Sequence, residues 1–265
     1  MKISNPKKLL KKKLIVFDLD GTLAPTKSAM DREMDRLLNK LLTVKQVAVI
    51  GGGKYELFRM QLLAQLSAPP ALLKNLFLFP VTSTSFYKFQ ARRWKKIYAL
   101  ELPLALRRKI KKTFYEVFRA VGYQSPKKIY GTLIEDRKTQ VTFSALGQDV
   151  VAVLGKKGVA MKEQWLKENR AVKMKIAAEM TRRLPGLEVH AAGFTSMDVT
   201  RRGIDKAYGI RQIKKYLKVP IADMLFVGDA IFPGGNDYAA LKSGVDYVAI
   251  KNPAETKQLI RRLLQ

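Results

Sequence analysis

The sequence predicts an α/β fold with a doubly wound, Rossmann-like parallel-sheet core and an inserted α+β cap domain. Several short, nearly all-apolar runs end close to Gly or Asp, a pattern typical of strands buried on both faces of a parallel sheet. Helical patterns lie between and after these runs, which indicates repeated strand–helix units. The middle of the chain instead carries a hairpin pattern, which indicates antiparallel strands.

The core elements follow from these patterns in chain order. Strands are predicted at residues 14–19, 47–50, 224–227 and 245–250. Helices are predicted where apolar residues recur with helical spacing, at residues 30–42, 55–66, 209–217 and 256–264.

The cap is predicted over residues 83–190, which leaves residues 1–82 and 191–265 for the core. Two runs rich in Thr, Tyr, Val and Phe flank a few polar residues around Arg137 and predict a hairpin of residues 128–134 and 139–146. Two helices and two short strands complete the cap, whose last strand extends to about residue 200. They are predicted at about 103–121, 162–183, 187–191 and 195–200.

The chain is strongly basic. Lys and Arg number 50 against 22 Asp and Glu, so the formal net charge is +28. Much of this excess lies on amphipathic helices such as residues 105–121, where a charged face is typical of a solvated surface. An anionic small molecule is therefore a better expected partner than nucleic acid, and residues 7–13 are the best candidate for a polyanion-binding arm.

Cysteine is absent, which excludes disulfides, thiolate catalysis and Cys-ligated metal. The first apolar run, residues 14–17, is too short for a signal-peptide core or a membrane span. We therefore expect a cytoplasmic protein without a membrane partner. A homodimer is left open.

Two aspartates lie two residues apart at the end of the first predicted strand. Alternate residues of a strand share a face, so Asp18 and Asp20 can reach one site. Gly21 permits a tight exit from the strand, and Thr22 offers a hydroxyl and backbone donors where ligands bind in open α/β sheets. Adjacent carboxylates require a cation, and oxygen ligands select a hard one such as Mg²⁺. The alternative is an ordinary acidic turn.

A second buried strand, LFVG, ends at Asp229 and is followed by PGGND at residues 233–237. Asp229 can supply a third carboxylate, and the two motifs in this order are together quite specific. Three glycines at 51–53 follow another strand, where Gly52 and Gly53 can offer backbone N–H groups to phosphate. Three glycines also form ordinary turns.

The segments FDLDGTL, SMDVTRRGIDK and GDAIFPGGND resemble the first, third and last motifs of the haloacid dehalogenase superfamily, in its branch with a large α/β cap. The closest resemblance is to eukaryotic-type phosphomannomutases, because IEDRKTQVTFSALGQ is similar to their cap hairpin. The resemblance implies Asp18 as the nucleophile, Asp20 as the general acid and base, and Lys206 as the lysine that steadies the phosphoryl oxygens.

The resemblance also implies a Mg²⁺ site made by Asp18, Asp20 and Asp229, with Asn236 and Asp237 around it. A serine is implied at the position of Gly53, so a hydroxyl donor is missing there.

In the predicted cap, Ser196 and Asp198 share one face of a strand, which suits sugar hydroxyls. Arg137 matches a phosphate-binding arginine of the mutase cap, although it also fits a polar hairpin turn. Gln148 stands where the resemblance implies a second arginine, and a neutral amide cannot replace a charged guanidinium fork.

The main expectation is a Mg²⁺-dependent phosphomonoester hydrolase that acts through an aspartyl phosphate on a sugar phosphate or a similar small metabolite. The alternative is a sugar-phosphate mutase, which returns the phosphoryl group to a second hydroxyl. A basic nucleic-acid-binding protein on a degenerate scaffold is disfavoured, because the chain retains the residues of the catalytic motifs: Asp18, Asp20, Lys206 and Asp229.

Overall fold

The computed structural model describes residues 6–191 and 193–265. The strands of this part of the chain are β1 (Leu14–Asp18), β2 (Gln46–Ile50), β3 (Leu76–Phe79), β4 (Ser85–Gln90), β5 (Arg93–Ala99), β6 (Ile134–Asp136), β7 (Val141–Ser144), β8 (Leu187–His190), β9 (Ser196–Arg201), β10 (Met224–Gly228) and β11 (Asp246–Ala249).

The α-helices are α1 (Pro6–Leu10), α2 (Arg32–Val44), α3 (Tyr55–Phe58), α4 (Pro70–Leu73), α5 (Leu104–Ala120), α6 (Val150–Leu154), α7 (Lys156–Arg183), α8 (Lys206–Leu217) and α9 (Pro253–Leu263). A π-helical turn, Arg59–Leu63, continues α3. Short 3-10 turns cover Ile221–Asp223 and Tyr238–Ser243. A buried turn at Pro80–Ser83 has left-handed backbone angles at Val81 and Thr82.

The chain forms two compact units, of which the first contains the residues up to Ala99 together with Ile204–Gln265. Its sheet has the strand order β11-β10-β1-β2-β3-β4-β5. The pairs from β11 to β3 are parallel, and β4 and β5 are antiparallel additions. The predicted α/β class with a parallel-dominated sheet is confirmed.

Strand β1 lies at the centre of this unit. Ile15 and Phe17 pack into one apolar cluster, whereas Leu14 and Val16 pack into another. Burial on both faces explains why the strand is a continuous apolar run in the sequence. In the register of the sheet, Asp18 lies opposite Ile50 of β2, so β1 and β2 end at the same edge.

Strands β3, β4 and β5 were not predicted, and β4 and β5 move the expected boundary of the insertion. Phe86 of β4 stacks on Phe79 at 4.4 Å between ring centroids, and Leu78 pairs with Tyr87. The chain from 85 to 99 therefore extends the sheet of the first unit, although the sequence places it in the cap.

The second unit spans Leu100–Gly203. Its antiparallel sheet has the order β6-β7-β9-β8, and one face packs its apolar residues with those of α5 and α7: Val141, Phe143, Met197 and Val199 lie with Phe114, Val117, Ile176 and Met180. The predicted hairpin exists, but its first strand begins only at Ile134. Strand β9 pairs with β7 and β8, so residues 191–203 belong to this unit and not to the first. Its role as a cap remains a prediction.

Residues 7–13 do not form a free arm. Leu9 is buried, and the Lys12 ammonium is buried against Asp246 at 2.5 Å. Lys8 also reaches Asp246, at 2.9 Å, and Lys13 pairs with Asp223 at 2.8 Å. These ion pairs attach the segment to the first unit, so it is not a free arm, and its binding to a polyanion stays a prediction. Among the described residues, no helix combines the length and the apolar character that a membrane span needs.

Candidate active site

A buried lysine joins two carboxylates at the edge where β1 ends. Asp205 caps helix α8 by accepting the Tyr208 N–H at 2.8 Å, which makes Lys206 the first residue of the helix. The Lys206 ammonium donates to Asp18 Oδ1 at 2.5 Å and also to Asp237 Oδ1. Asp237 is held from its other side, because Oδ2 accepts the Ala230 N–H at 2.9 Å. Three charged side chains therefore lie out of water with their partners in place.

The aspartates exceed the available positive charge. Carboxylate oxygens of Asp18, Asp229 and Asp237 lie within 4.8 Å of one another, and Lys206 is the ammonium that contacts two of them. Three carboxylates and one ammonium leave two excess negative charges. Oxygen ligands with this charge suit a hard divalent cation.

Burial and mutual repulsion are visible in the acid–base properties of the cluster. Burial raises the pKa of Asp18 well above its usual value; Lys206 opposes this shift, and Asp237 adds to it. Burial also raises the pKa of Asp229, again with a contribution from Asp237. For Lys206, burial alone would lower the pKa, but Asp18 and Asp237 outweigh it and hold the pKa above the ordinary value. The lysine is therefore an ammonium at neutral pH.

Two glycines make room for these carboxylates. Gly21 has φ +83°, and a Cβ there would overlap the Asp229 carboxylate. A Cβ at Gly228 would overlap the carboxylate of Asp237. Glycine is needed at both positions because another side chain would displace a carboxylate from the cluster.

Asp20 is not one of the three clustered carboxylates, but it lies near enough that its charge adds to the rise that burial causes in the pKa of Asp18 and of Asp229. Asp20 Oδ1 accepts the backbone N–H of Lys27 at 2.7 Å and the side-chain amide of Gln61 at 2.9 Å. Strand β1 ends at Asp18, so the alternation that predicts a shared face does not extend to Asp20. The structure brings Asp237 into the cluster where the sequence places Asp20.

A strained turn holds the glycine loop that follows β2. Val81 and Thr82 donate their backbone N–H groups to the carbonyls of Gly53 and Gly51, both at 2.9 Å. Val81, Thr82 and Ser83 have φ of 51°, 52° and 66°. Left-handed angles at non-glycine residues cost about 1–3 kcal/mol each, and such strain is concentrated at functional sites. Gly52 and Gly53 thus occupy a loop with a defined conformation.

The remaining predicted core residues differ in exposure. Thr22 is fully buried, and its Oγ1 has no hydrogen-bond partner among the described residues. Asn236 is exposed, in contrast to its neighbour Asp237, which is 0% exposed. Asn236 therefore lies outside the buried cluster.

The second unit carries a polar sheet face. Asp198 accepts the Thr142 hydroxyl at 2.6 Å, and Ser196 shares a hydrogen bond with Ser144 at 3.1 Å. These contacts follow from the β7–β9 register, in which Thr142 faces Asp198 and Ser144 faces Ser196. Ser196 and Asp198 lie on one face, as strand alternation predicts.

Arg137 lies in the same unit and is already engaged. Its Nε donates to Glu135 Oε2 at 2.7 Å, and its Nη2 donates to Gln148 Oε1 at 3.0 Å. The Glu135 carboxylate offsets the charge of this arginine. Gln148 therefore contacts Arg137 through its amide oxygen.

Two buried polar residues were missed in the sequence. Gln61 contacts Asp20, and it lies beside Leu62 on the buried face of the predicted helix 55–66, where a polar side chain is itself a signal. Lys173 is 3% exposed and donates to the Gly193 carbonyl at 2.7 Å. Burial lowers the pKa of Lys173 to about 8. A lysine near the buried Ile176 and Ala177 on α7 is the corresponding signal.

The fold and this site define a phosphotransfer enzyme of the haloacid dehalogenase type. Solved structures support the fold. An IMP-nucleotidase of Plasmodium falciparum matches with a TM-score of 0.67 and 17% identity, over 98% of this chain and 71% of that one. A trehalose-6-phosphate phosphatase of Aspergillus fumigatus matches with a TM-score of 0.56 and 18% identity, over 100% and 99% of the two chains.

Within that class, the chain belongs to the eukaryotic phosphomannomutase family, whose model matches residues 34–265. The matched range begins after the Asp18 motif and includes the whole second unit. A phosphomannomutase of Encephalitozoon cuniculi is 25% identical over 262 residues, which is 96% of this chain and 94% of the relative. Phosphomannomutase 1 of Mus musculus is 27% identical over 227 residues, or 85% of this chain and 81% of that protein.

Proposed function

We propose that the chain is a Mg²⁺-dependent sugar-phosphate mutase that transfers a phosphoryl group through Asp18 between two hydroxyls of a hexose phosphate. The observation that carries the proposal is the family match, because it runs through both units and not only through the motifs shared by phosphatases and mutases. The main expectation from the sequence, a hydrolase, therefore becomes the second candidate.

Asp18 is suited to act as the nucleophile. Lys206 binds its Oδ1, and no hydrogen bond to its Oδ2 occurs within the described part of the chain, so Oδ2 is left to attack phosphorus. The bond between Asp18 and phosphorus forms while the bond from phosphorus to the sugar oxygen breaks. Lys206 remains charged and can accompany the transferred oxygens, where a fixed cation stabilises the transition state.

Asp20 is assigned to proton transfer. In the first step its carboxyl group gives a proton to the departing sugar oxygen. In the second step it removes a proton from the accepting hydroxyl, which attacks phosphorus and releases Asp18. The accepting group is a sugar hydroxyl in a mutase and water in a hydrolase, so the same residues support both outcomes.

The donor set fits the metal that this chemistry requires. Asp18, Asp229 and Asp237 would hold Mg²⁺, since they are oxygen ligands with two negative charges more than Lys206 neutralises. When bound, Mg²⁺ supplies positive charge that stabilises the phosphoryl oxygens during transfer.

Sugar recognition is assigned to the polar face of the second unit, where Ser196 and Asp198 lie beside the hydroxyls of Ser144 and Thr142. Hydroxyl and carboxylate groups in a row match the donors and acceptors of a sugar ring. A sugar phosphate is accordingly the proposed substrate.

One observation favours the hydrolase as the second candidate. A mutase must hold a phosphate that is not reacting, and charged guanidinium forks are the strongest protein groups for this task. Arg137 already pairs with Glu135, and Gln148 is a neutral amide at the position where a second arginine is implied. A weaker phosphate clamp would let the sugar phosphate dissociate after the first transfer, so that water would replace the sugar hydroxyl as the group that accepts the phosphoryl group from Asp18.

The deciding experiment measures two products in one reaction. Hexose 1-phosphate is incubated with the protein, Mg²⁺ and a catalytic amount of hexose 1,6-bisphosphate, and hexose 6-phosphate and inorganic phosphate are both quantified. A mutase gives hexose 6-phosphate with little phosphate. Phosphate release without interconversion would establish the hydrolase instead. If neither product were formed, both candidates would be overturned.

Two variants sharpen this test. Gln148→Arg adds the implied guanidinium and should raise the ratio of interconversion to phosphate release, because the intermediate is held longer. Gln124→Arg adds the same charge at an exposed position of the second unit and serves as the matched control. Equal ratios of interconversion to phosphate release in the two variants would show that the residue at position 148 does not control how long the intermediate is held.

A further inference from the structure

We propose that Gln61 is a positioning residue for Asp20: its amide fixes one carboxylate oxygen and leaves the other free for proton transfer. The inference rests on the proposed role of Asp20 as acid and base. It concerns a residue of α3's π-helical continuation that lies outside the catalytic motifs of the sequence.

Gln61 ties the chain that follows β1 at three points. Its Nε2 donates to Asp20 Oδ1 at 2.9 Å and to the Ser28 carbonyl at 3.1 Å. Its own backbone carbonyl accepts the Met30 N–H at 2.9 Å. We call residues 20–30, between β1 and α2, the exit segment. One residue therefore holds both the carboxylate and the exit segment that carries it.

The local helix geometry accompanies this contact. Gln61 is the central residue of the π-helical turn Arg59–Leu63, and its side chain is 1% exposed, whereas the preceding Met60 is 62% exposed. A π turn inserts a residue into a helix and redirects the side chains around it, and such turns are frequent at functional sites.

The hydrogen bonds select one oxygen of Asp20. Oδ1 accepts two donors, the Gln61 amide and the Lys27 N–H at 2.7 Å. Two donors on one oxygen restrict rotation of the carboxylate. In the described part of the chain, no hydrogen bond to Oδ2 is formed, so Oδ2 is the oxygen available to a sugar hydroxyl or water.

The amide is retained at a cost. Gln61 Oε1 is buried and has no partner among the described residues. An unpaired buried acceptor lowers stability, and an apolar side chain of the same length would avoid that cost. The contacts that offset this cost are those of its donor group, with Asp20 and with the Ser28 carbonyl of the exit segment.

The test compares esters that differ in their need for a proton. Gln61→Met keeps the length of the side chain but removes the donor, and the exposed Gln65→Met is the matched control. The rates of release of 4-nitrophenol from 4-nitrophenyl phosphate and of phenol from phenyl phosphate are measured. The 4-nitrophenolate leaving group needs little protonation, whereas phenolate needs more. We expect Gln61→Met to slow release roughly 10- to 100-fold for phenyl phosphate but less than about 3-fold for 4-nitrophenyl phosphate.

A double variant separates positioning from a structural role. If Gln61 acts through Asp20, adding Gln61→Met to Asp20→Asn should cause little further loss with phenyl phosphate. Equal losses for the two esters, or losses that multiply in the double variant, would overturn the inference.

Gln61→Glu keeps the polarity and size but presents an acceptor to Asp20, so it provides the same test if Gln61→Met does not fold. A wild-type response to the two esters in that variant would also overturn the inference. The proposed function is tested separately, by the hexose 1-phosphate reaction, so its failure is distinguishable from a failure of this inference.

Discussion

Replacement of Lys206 by Met tests the charge balance of the site directly. Lys206 is 2% exposed and contacts Asp18 and Asp237, which are 3% and 0% exposed. Methionine has a similar length but no charge. The variant raises the excess of carboxylates over ammonium groups in the cluster from two to three.

The expected loss of stability is large. Removing one partner from a buried ion pair costs about 3–5 kcal/mol, since the remaining charge is left without compensation. In proteins of roughly this size, each kcal/mol corresponds to about 2–4 °C in the unfolding temperature. We therefore expect metal-free Lys206→Met to unfold roughly 6–20 °C below the wild type.

Mg²⁺ should reverse part of this loss, because a cation that binds only the folded state stabilises it. Unfolding is followed by calorimetry in EDTA and in Mg²⁺, with Lys214→Met as the control for an exposed lysine of the same helix. The Mg²⁺-dependent rise should be larger in Lys206→Met than in the wild type. Turnover should fall by a factor on the order of 100–1,000, as for other groups that stabilise transition-state charge.

A metal-free Lys206→Met protein as stable as Lys214→Met would refute the charge argument. Turnover close to that of the wild type would refute the assignment of Lys206 to the transferred phosphoryl group. The two outcomes are independent, because stability is measured without substrate.

The remaining predictions concern other parts of the chain. Asp18→Asn should abolish turnover but not folding, as judged by product assays and circular dichroism, because an amide keeps the shape without being a nucleophile; wild-type turnover would exclude Asp18. The pKa of Lys173 is about 8 in the folded protein, whereas an unperturbed lysine in the unfolded chain has a pKa of about 10.4. As the pH rises, the folded protein therefore loses this proton at a lower pH than the unfolded chain does. The stability contributed by Lys173 should therefore rise from pH 8 to 10 by at most about 1.4 kcal/mol per unit, and urea titrations should show a flatter profile for Lys173→Met; parallel profiles would contradict this. Duplex DNA should bind weakly, with a Kd of about 10⁻⁴–10⁻⁶ M that weakens with salt in anisotropy measurements. A tight, salt-resistant DNA complex would contradict this expected weak binding. Deleting residues 1–13 should lower the unfolding temperature, since Lys8 and Lys12 pair with Asp246.

Local patterns in the sequence predicted four strands of the first unit, β1, β2, β10 and β11, but not β3, β4 and β5. The apolar run at 14–17 and the aspartate after it predict β1 and the position of Asp18 at its end, and both are observed. Such patterns suffice because burial on two faces of a parallel sheet leaves a direct record in consecutive residues. The α/β class and the family resemblance follow from the same local information.

Elements at the edge of a sheet leave a weaker record. Strands β4 and β5 lie in the range predicted as the insertion, and Lys88, Arg93, Lys95 and Lys96 interrupt their apolar pattern. Their place in the first unit depends on pairing with β3, a contact that local sequence does not encode. Residues 7–13 show the same difficulty, since a run of lysines does not reveal that Asp246, far along the chain, pairs with two of them.

The composition of the site was determined only in part by the sequence. Asp18, Lys206 and Asp229 were predicted from motifs and are brought to one edge of the sheet. The tertiary structure decided that Asp237 joins them and that Asp20 accepts a hydrogen bond from Gln61. It also decided that Arg137 donates hydrogen bonds to Glu135 and Gln148. The physical reason is that strand and helix periodicity are local properties, whereas hydrogen bonds between distant residues depend on how the strands and loops pack.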